Sequence, residues 1–137
     1  MYQDPYLQAY GKWLNGIIWS WILTVTVVDG GSIEAANKGL IDLLLYYATG
    51  ARYFWVVEPD TTGRLSIQGM VTGVQAFKRL PLQDELTWRY GRSQIEPYDP
   101  TRGWCFYICK YLKRGRADII TNLTAEDMPK DIEVAND

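Results

Sequence analysis

The chain reads as an α+β domain in which one antiparallel sheet is covered by helices, and three stretches predict it. Residues 19–28 alternate as a strand does. An amphipathic helical repeat follows at once over 33–48. Two further strand-like runs, 52–58 and 65–71, are joined by a short Pro/Gly turn and read as a hairpin. With 137 residues, a single domain spanning 1–137 is the default.

The elements follow in order. Residues 1–15 form a polar, aromatic lead-in that either docks late or makes a short helix. In 19–28, Trp19, Trp21, Leu23, Val25 and Val27 fall on one face; Ser20, Ile22, Thr24, Thr26 and Val28 fall on the other. Asp29-Gly30-Gly31 ends the strand, and Ser32 suits a helix N-cap with Glu34 in the first turn. Ile33, Ala36, Leu40, Leu44 and Tyr47 recur at helical spacing. Residues 82–90 predict a helix with Pro81 at its start and Gly91 past its end, 93–96 a short strand, and 103–114 a last helix stopped by Gly115. The tail 118–137 is acidic and weakly patterned, expected either to fold onto the body or to stay mobile.

Composition excludes several functions. The chain contains no His, so Ser–His and Cys–His catalysis are ruled out. Cys105 and Cys109 lack the spacing and partners of a zinc site, and a disulfide between them is not expected, which fits a reducing cytoplasm. The first ten residues are polar and lack an early basic region, so no signal peptide is expected. The apolar run 17–28 is too short and interrupted to span a membrane. Net charge is -2 and the isoelectric point lies near 5.1, against a broad electrostatic grip on nucleic acid. The basic residues do cluster: Lys110, Lys113, Arg114 and Arg116 in one group, Lys78, Arg79, Arg89 and Arg92 in a looser one. Basic residues near aromatics are the usual parts of a single-strand groove; solvated helix ends account for them equally well.

The most informative stretch is Gly63-Arg64-Leu65-Ser66-Ile67-Gln68-Gly69. On a strand Ser66 and Gln68 share one face and Ile67 points into the core. The stretch resembles the metal-binding strand of rolling-circle replication initiators, the His-hydrophobic-His (HUH) endonucleases, with both histidines replaced. Three other segments carry the same resemblance. Trp21-Ile22-Leu23-Thr24-Val25-Thr26 is similar to the family's first motif, Tyr53-Phe54-Trp55-Val56-Val57-Glu58 to the strand that brings a further metal ligand, and Tyr107-Ile108-Cys109-Lys110-Tyr111 to the nucleophile motif. The resemblance covers roughly 19–114. It implies a ferredoxin-like sheet, Glu58, Ser66 and Gln68 at the metal positions, Tyr107 as nucleophile with Lys110 beside it, and phosphotyrosine nicking of single-stranded DNA.

The replacements weaken that chemistry. A metal draws charge off the phosphate and orients it for in-line attack. Imidazole holds such a metal well, a Ser hydroxyl poorly and a Gln carbonyl modestly. The expected cofactor is therefore none, or weakly held Mg²⁺ or Mn²⁺, and the expected nicking little or none. At helical spacing Tyr107, Lys110, Tyr111 and Arg114 form one stripe; with Arg64 and Lys113 it makes the expected DNA-binding set. Two functions follow. One is a catalytically impaired domain of a plasmid, phage or other mobile element that binds single-stranded or hairpin DNA. The other is a repurposed scaffold that binds a protein, as an inhibitor does.

Overall fold

Side-chain alternation decides the architecture, because a strand with apolar residues on both faces must be covered twice. A computed structural model describes residues 11–27, 32–59, 64–109 and 118–124. In chain order these form β1 (Trp21–Val27), α1 (Ile33–Tyr47), β2 (Arg52–Pro59), β3 (Leu65–Thr72), α2 (Arg79–Tyr90), β4 (Ser93–Pro97), α3 (Trp104–Cys109) and β5 (Asp118–Thr121). Single 3₁₀ turns at Ala76–Lys78 and Pro100–Arg102 precede α2 and α3. The strands make one five-stranded sheet in the order β4-β1-β3-β2-β5. Every neighbouring pair is antiparallel. The fold is thus the α+β antiparallel class expected, with β1 and β3 as neighbouring inner strands.

The larger core lies between one sheet face and α1 and α2. Trp21, Leu23, Val25 and Val27 of β1 point into it, with Tyr53, Trp55 and Val57, Leu65, Ile67 and Val71, and Ile95 from the other strands. Ala36, Leu40, Leu43 and Leu44 of α1 and Leu82 and Leu86 of α2 cover them. The Ser32 hydroxyl caps α1, accepting from the Ala35 amide at 3.0 Å. Gly91, at φ 118°, ends α2. α2 begins at Arg79, a turn earlier than the spacing suggested, and Pro81 sits in its first turn, where a missing N–H breaks no helical bond. Its side chains also blunt the β4 edge: Arg79 donates to the Ile95 carbonyl at 2.6 Å, and Gln83 accepts from the Ile95 amide at 2.7 Å.

A second, smaller core covers the opposite face. Ile22, Phe54, Val56 and Met70 point into it and meet Trp13, Leu14, Trp19, Cys105 and Ile108. Here the structure corrects one expectation. Trp19 does not continue the β1 face. It precedes the strand, and its indole donates to the Leu14 carbonyl at 2.7 Å, pinning it to the helical segment 11–15 on the opposite layer. Of the lead-in, residues 11–15 form the short helix that is one of its two expected courses, and Trp13 and Leu14 are buried.

The start of the tail follows the first of its two expected courses and folds onto the body: residues 118–121 are an edge strand beside β2. Asn122 locks them there. Its side chain accepts from the Tyr53 amide at 2.8 Å and donates to the Ala51 carbonyl at 3.0 Å. The last helix starts at Trp104, after Gly103 turns the chain at φ 67°; its expected continuation to residue 114 lies outside the described residues. Among those residues no helix is long and apolar enough to cross a membrane.

Candidate functional site

The second sheet face is where apolar and polar residues meet. Residues paired across antiparallel strands point to the same side, so strand register lays the face out in rows. One row reads Glu96, Ile22, Met70, Phe54, Thr121; the next reads Gln94, Thr24, Gln68, Val56, Ile119. A third row has Thr26 opposite Ser66, and Ser66 opposite Glu58. The apolar first row is roofed by α3 and the 11–15 segment. Polarity then rises toward the third row.

The roof is fastened at one point. The Cys105 thiol of α3 lies 3.6 Å from the Met70 sulfur and 3.2 Å from the Tyr98 hydroxyl. Burial pushes the Cys105 thiol above the ordinary range, against the smaller opposing pull of its bonds to Tyr98 and Trp19. Burial, then the bond to Cys105, pushes the Tyr98 phenol up as well. Both therefore stay protonated at neutral pH, which suits a structural clasp.

Gln68 lies two residues along β3 from Met70 and Ser66 four, or roughly 7 and 14 Å at about 3.4 Å per residue. Both side chains are half-buried. The Gln68 Oε1 is itself buried and has no hydrogen-bond partner among the described residues, an uncommon and costly condition for a carbonyl oxygen. Among the described residues no three His, Cys, Asp or Glu side chains converge as a metal cage.

The sequence-predicted residues divide as follows. Ser66 and Gln68 share this sheet surface, and Glu58 is paired with Ser66 in register, its side chain lying outside the described residues. Tyr107 falls within α3, between the buried Cys105 and Ile108; its side chain, and all of Lys110, Tyr111, Lys113 and Arg114, lie outside the described residues. Arg64 is exposed just before β3. Of the looser basic group, Arg92 borders this face, its carbonyl accepting from the Thr26 amide at 2.8 Å, and the other three lie elsewhere. Lys78 stands over the rings of Tyr47 and Phe77, Arg79 is bound to β4, and Arg89 pairs with Glu85 at 3.4 Å, all in the α1–α2 layer.

Sequence reading missed one feature of this face. A cavity of about 220 Å³ opens between β4, β1 and the start of α3, lined by Ile22, Thr24, Gln94, Glu96, Arg102 and Trp104. Alternation along β4 already set Gln94 and Glu96 opposite Ile95; nothing local foretold that Arg102 and Trp104 would close over them.

No family model and no curated protein sequence matches the chain. Among solved structures, it is similar to the crystal structure of the hypothetical protein ORF119 from Sulfolobus islandicus rod-shaped virus 1. The two are 12% identical, the match covers 79% of this chain and 91% of that one, and the TM-score is 0.53. At that identity the likeness is one of fold. The described residues therefore define an α+β domain with a helix-backed antiparallel sheet, and this architecture is shared with a viral protein.

Proposed function

We propose that the chain is a single-stranded or hairpin DNA-binding domain of rolling-circle-initiator type, from a mobile element, whose metal centre has been lost. The observation that carries the reading is the buried Gln68 Oε1, which has no partner among the described residues. It belongs to a polar sheet surface with Thr24, Thr26 and Ser66, next to the helix that contains Tyr107. An acceptor left unsatisfied there suits a ligand that brings a donor, such as a base amino group. The viral origin of a protein with this fold agrees with a mobile-element source.

The donor set does not suit a resident divalent metal. One carboxylate at Glu58, a hydroxyl at Ser66 and an amide at Gln68 supply a single negative charge, whereas such ions are held by several charged or strongly basic ligands. Without that charge, attack by a tyrosine on a phosphodiester loses several kcal/mol of stabilisation. The protein's activity in this reading is binding, not cleavage.

Labelled single-stranded and hairpin DNA, with and without Mn²⁺, tests this. The expected result is salt-sensitive binding with no covalent band on a denaturing gel. A Tyr107-dependent adduct would show an active nickase, and no binding at low salt would sink the DNA reading.

A second reading, a protein-binding scaffold, draws on the opposite layer. There Tyr46 and Trp88 are each 82% exposed and Phe77 is 70% exposed. Large exposed aromatics of this kind are typical anchors of protein interfaces, and the net charge of -2 suits such a role better than bulk DNA binding.

A further inference from the structure

We infer that the cavity between β4, β1 and the start of α3 is a guanine-reading subsite; this rests on the DNA-binding reading above and assigns one base to one pocket. The cavity, about 220 Å³, is smaller than the roughly 300–1,000 Å³ of sites for drug-sized ligands. Its size suits one planar base. Its wall chemistry is specific. Gln94 donates one of its two amide N–H groups to Glu96 Oε1, at 2.5 Å. That bond leaves the Gln94 carbonyl and both carboxylate oxygens as acceptors, because an ionised carboxylate accepts at about four lone-pair positions and donates none, and it leaves one Gln94 N–H as a donor that a guanine O6 can take. A carboxylate takes two parallel N–H bonds most readily from guanine, whose N1–H and N2–H lie side by side. Cytosine and adenine present one amino group beside a ring acceptor that a carboxylate repels, and thymine presents one N–H between two carbonyls.

The remaining walls suit the rest of a nucleotide. Trp104, half-buried at the head of α3, offers an aromatic face to the base plane. The Arg102 guanidinium is exposed, and its Nε lies 3.8 Å from Asp99 Oδ2. Its terminal nitrogens keep donors for a phosphate oxygen. Thr24, on the cavity floor, is the register partner of Gln68. A strand leaving the pocket across the sheet therefore passes next over the half-buried Gln68 side chain.

Two measurements on the full chain test the subsite. In the first, ¹H–¹⁵N spectra are titrated with dGMP and, separately, dTMP. The expected result is saturable shifts at the Glu96 amide, the Gln94 side-chain amide and the Trp104 indole with dGMP alone, lost in Glu96→Gln. No dGMP shifts, or equal shifts with dTMP, would overturn the assignment. In the second, an oligothymidylate and the same oligomer with one internal guanine are compared by fluorescence anisotropy. The expected preference for guanine is on the order of tenfold, abolished in Glu96→Gln. Equal affinity for the two oligomers overturns the subsite and leaves the DNA reading intact. Binding of dGMP with no affinity for either oligomer supports the subsite and sinks the DNA reading alone.

Discussion

The Trp55 indole donates to the Asn37 side-chain carbonyl at 3.0 Å inside the larger core. Trp55 is fully buried and Asn37, at 6% exposure, is the buried polar residue that receives it. The bond joins the middle of α1 to the middle of β2, and Tyr53 stacks on the same indole at 4.3 Å between ring centroids. A buried N–H left unpaired costs about 1–3 kcal/mol. Asn37→Leu is therefore expected to destabilise by that amount although it adds apolar surface. Urea denaturation checks this; a stabilised variant would contradict it.

Gly69 stands opposite Trp55 in the β2–β3 register. A Cβ at Gly69 would run into the Phe54 carbonyl oxygen and the Trp55 Cα and Cβ, so β2 and β3 would have to separate. Overpacking of this kind costs about 1–3 kcal/mol. Gly69→Ala is expected to lower the midpoint of thermal unfolding clearly, while Gly50→Ala, where a Cβ meets nothing within 4 Å, serves as the control. Equal melting of the two variants would show that the strands have room to spare.

β5 depends on side-chain bonds as much as on its ladder. Thr121 donates to the Tyr53 carbonyl at 2.6 Å, and Asn122 bonds both the Tyr53 amide and the Ala51 carbonyl. Asn122→Ala is expected to cost about 1–3 kcal/mol and to speed amide exchange along β2, whose edge it opens. Exchange confined to residues 118–124 would instead mean that β2 holds its edge alone.

Stability should fall in alkali through the Tyr98–Cys105 clasp. Burial raises both groups in the folded protein, so the native state holds these protons longer than the unfolded chain. Their contribution is complete below the unfolded values, about 8.5 for a thiol and about 10 for a phenol, and is lost as pH rises beyond them. The urea midpoint of the parent should decline above about pH 8.5, and that of the Cys105→Ala, Tyr98→Phe double variant should decline less steeply. Parallel slopes would remove these groups from the linkage.

Restoring imidazoles should restore a metal. Ser66→His with Gln68→His sets two strong neutral ligands on the face where Glu58 pairs with position 66 in register. The parent should give no Mn²⁺ isotherm by titration calorimetry. The double variant should give one that Glu58→Ala weakens. A silent double variant would mean that this strand pair is not a metal-binding frame.

Most strands and helices could be read from local pattern, because alternation and helical spacing report which faces are apolar before any partner is known. Trp21 to Val27 read as a strand on its β-branched alternation, Ser32 as a cap, and Ser66 and Gln68 as one face with Ile67 turned inward. The residues 118–121 did not read as a strand. Four residues hold too little pattern, and what orders them is the Asn122 contact with Tyr53, 69 positions away in sequence. Trp19 misled for a similar reason. Its place in the alternation was right, but its indole found the Leu14 carbonyl and turned it to the other layer. The candidate site divides in the same way. The sequence alone determined which residue types β3 offers to its outer face. Tertiary structure decided that Arg102 and Trp104 meet Gln94 and Glu96 around one cavity, and that Lys78, Arg79 and Arg89 are used elsewhere. Periodicity reports a face, but sheet order and helix placement decide what that face meets.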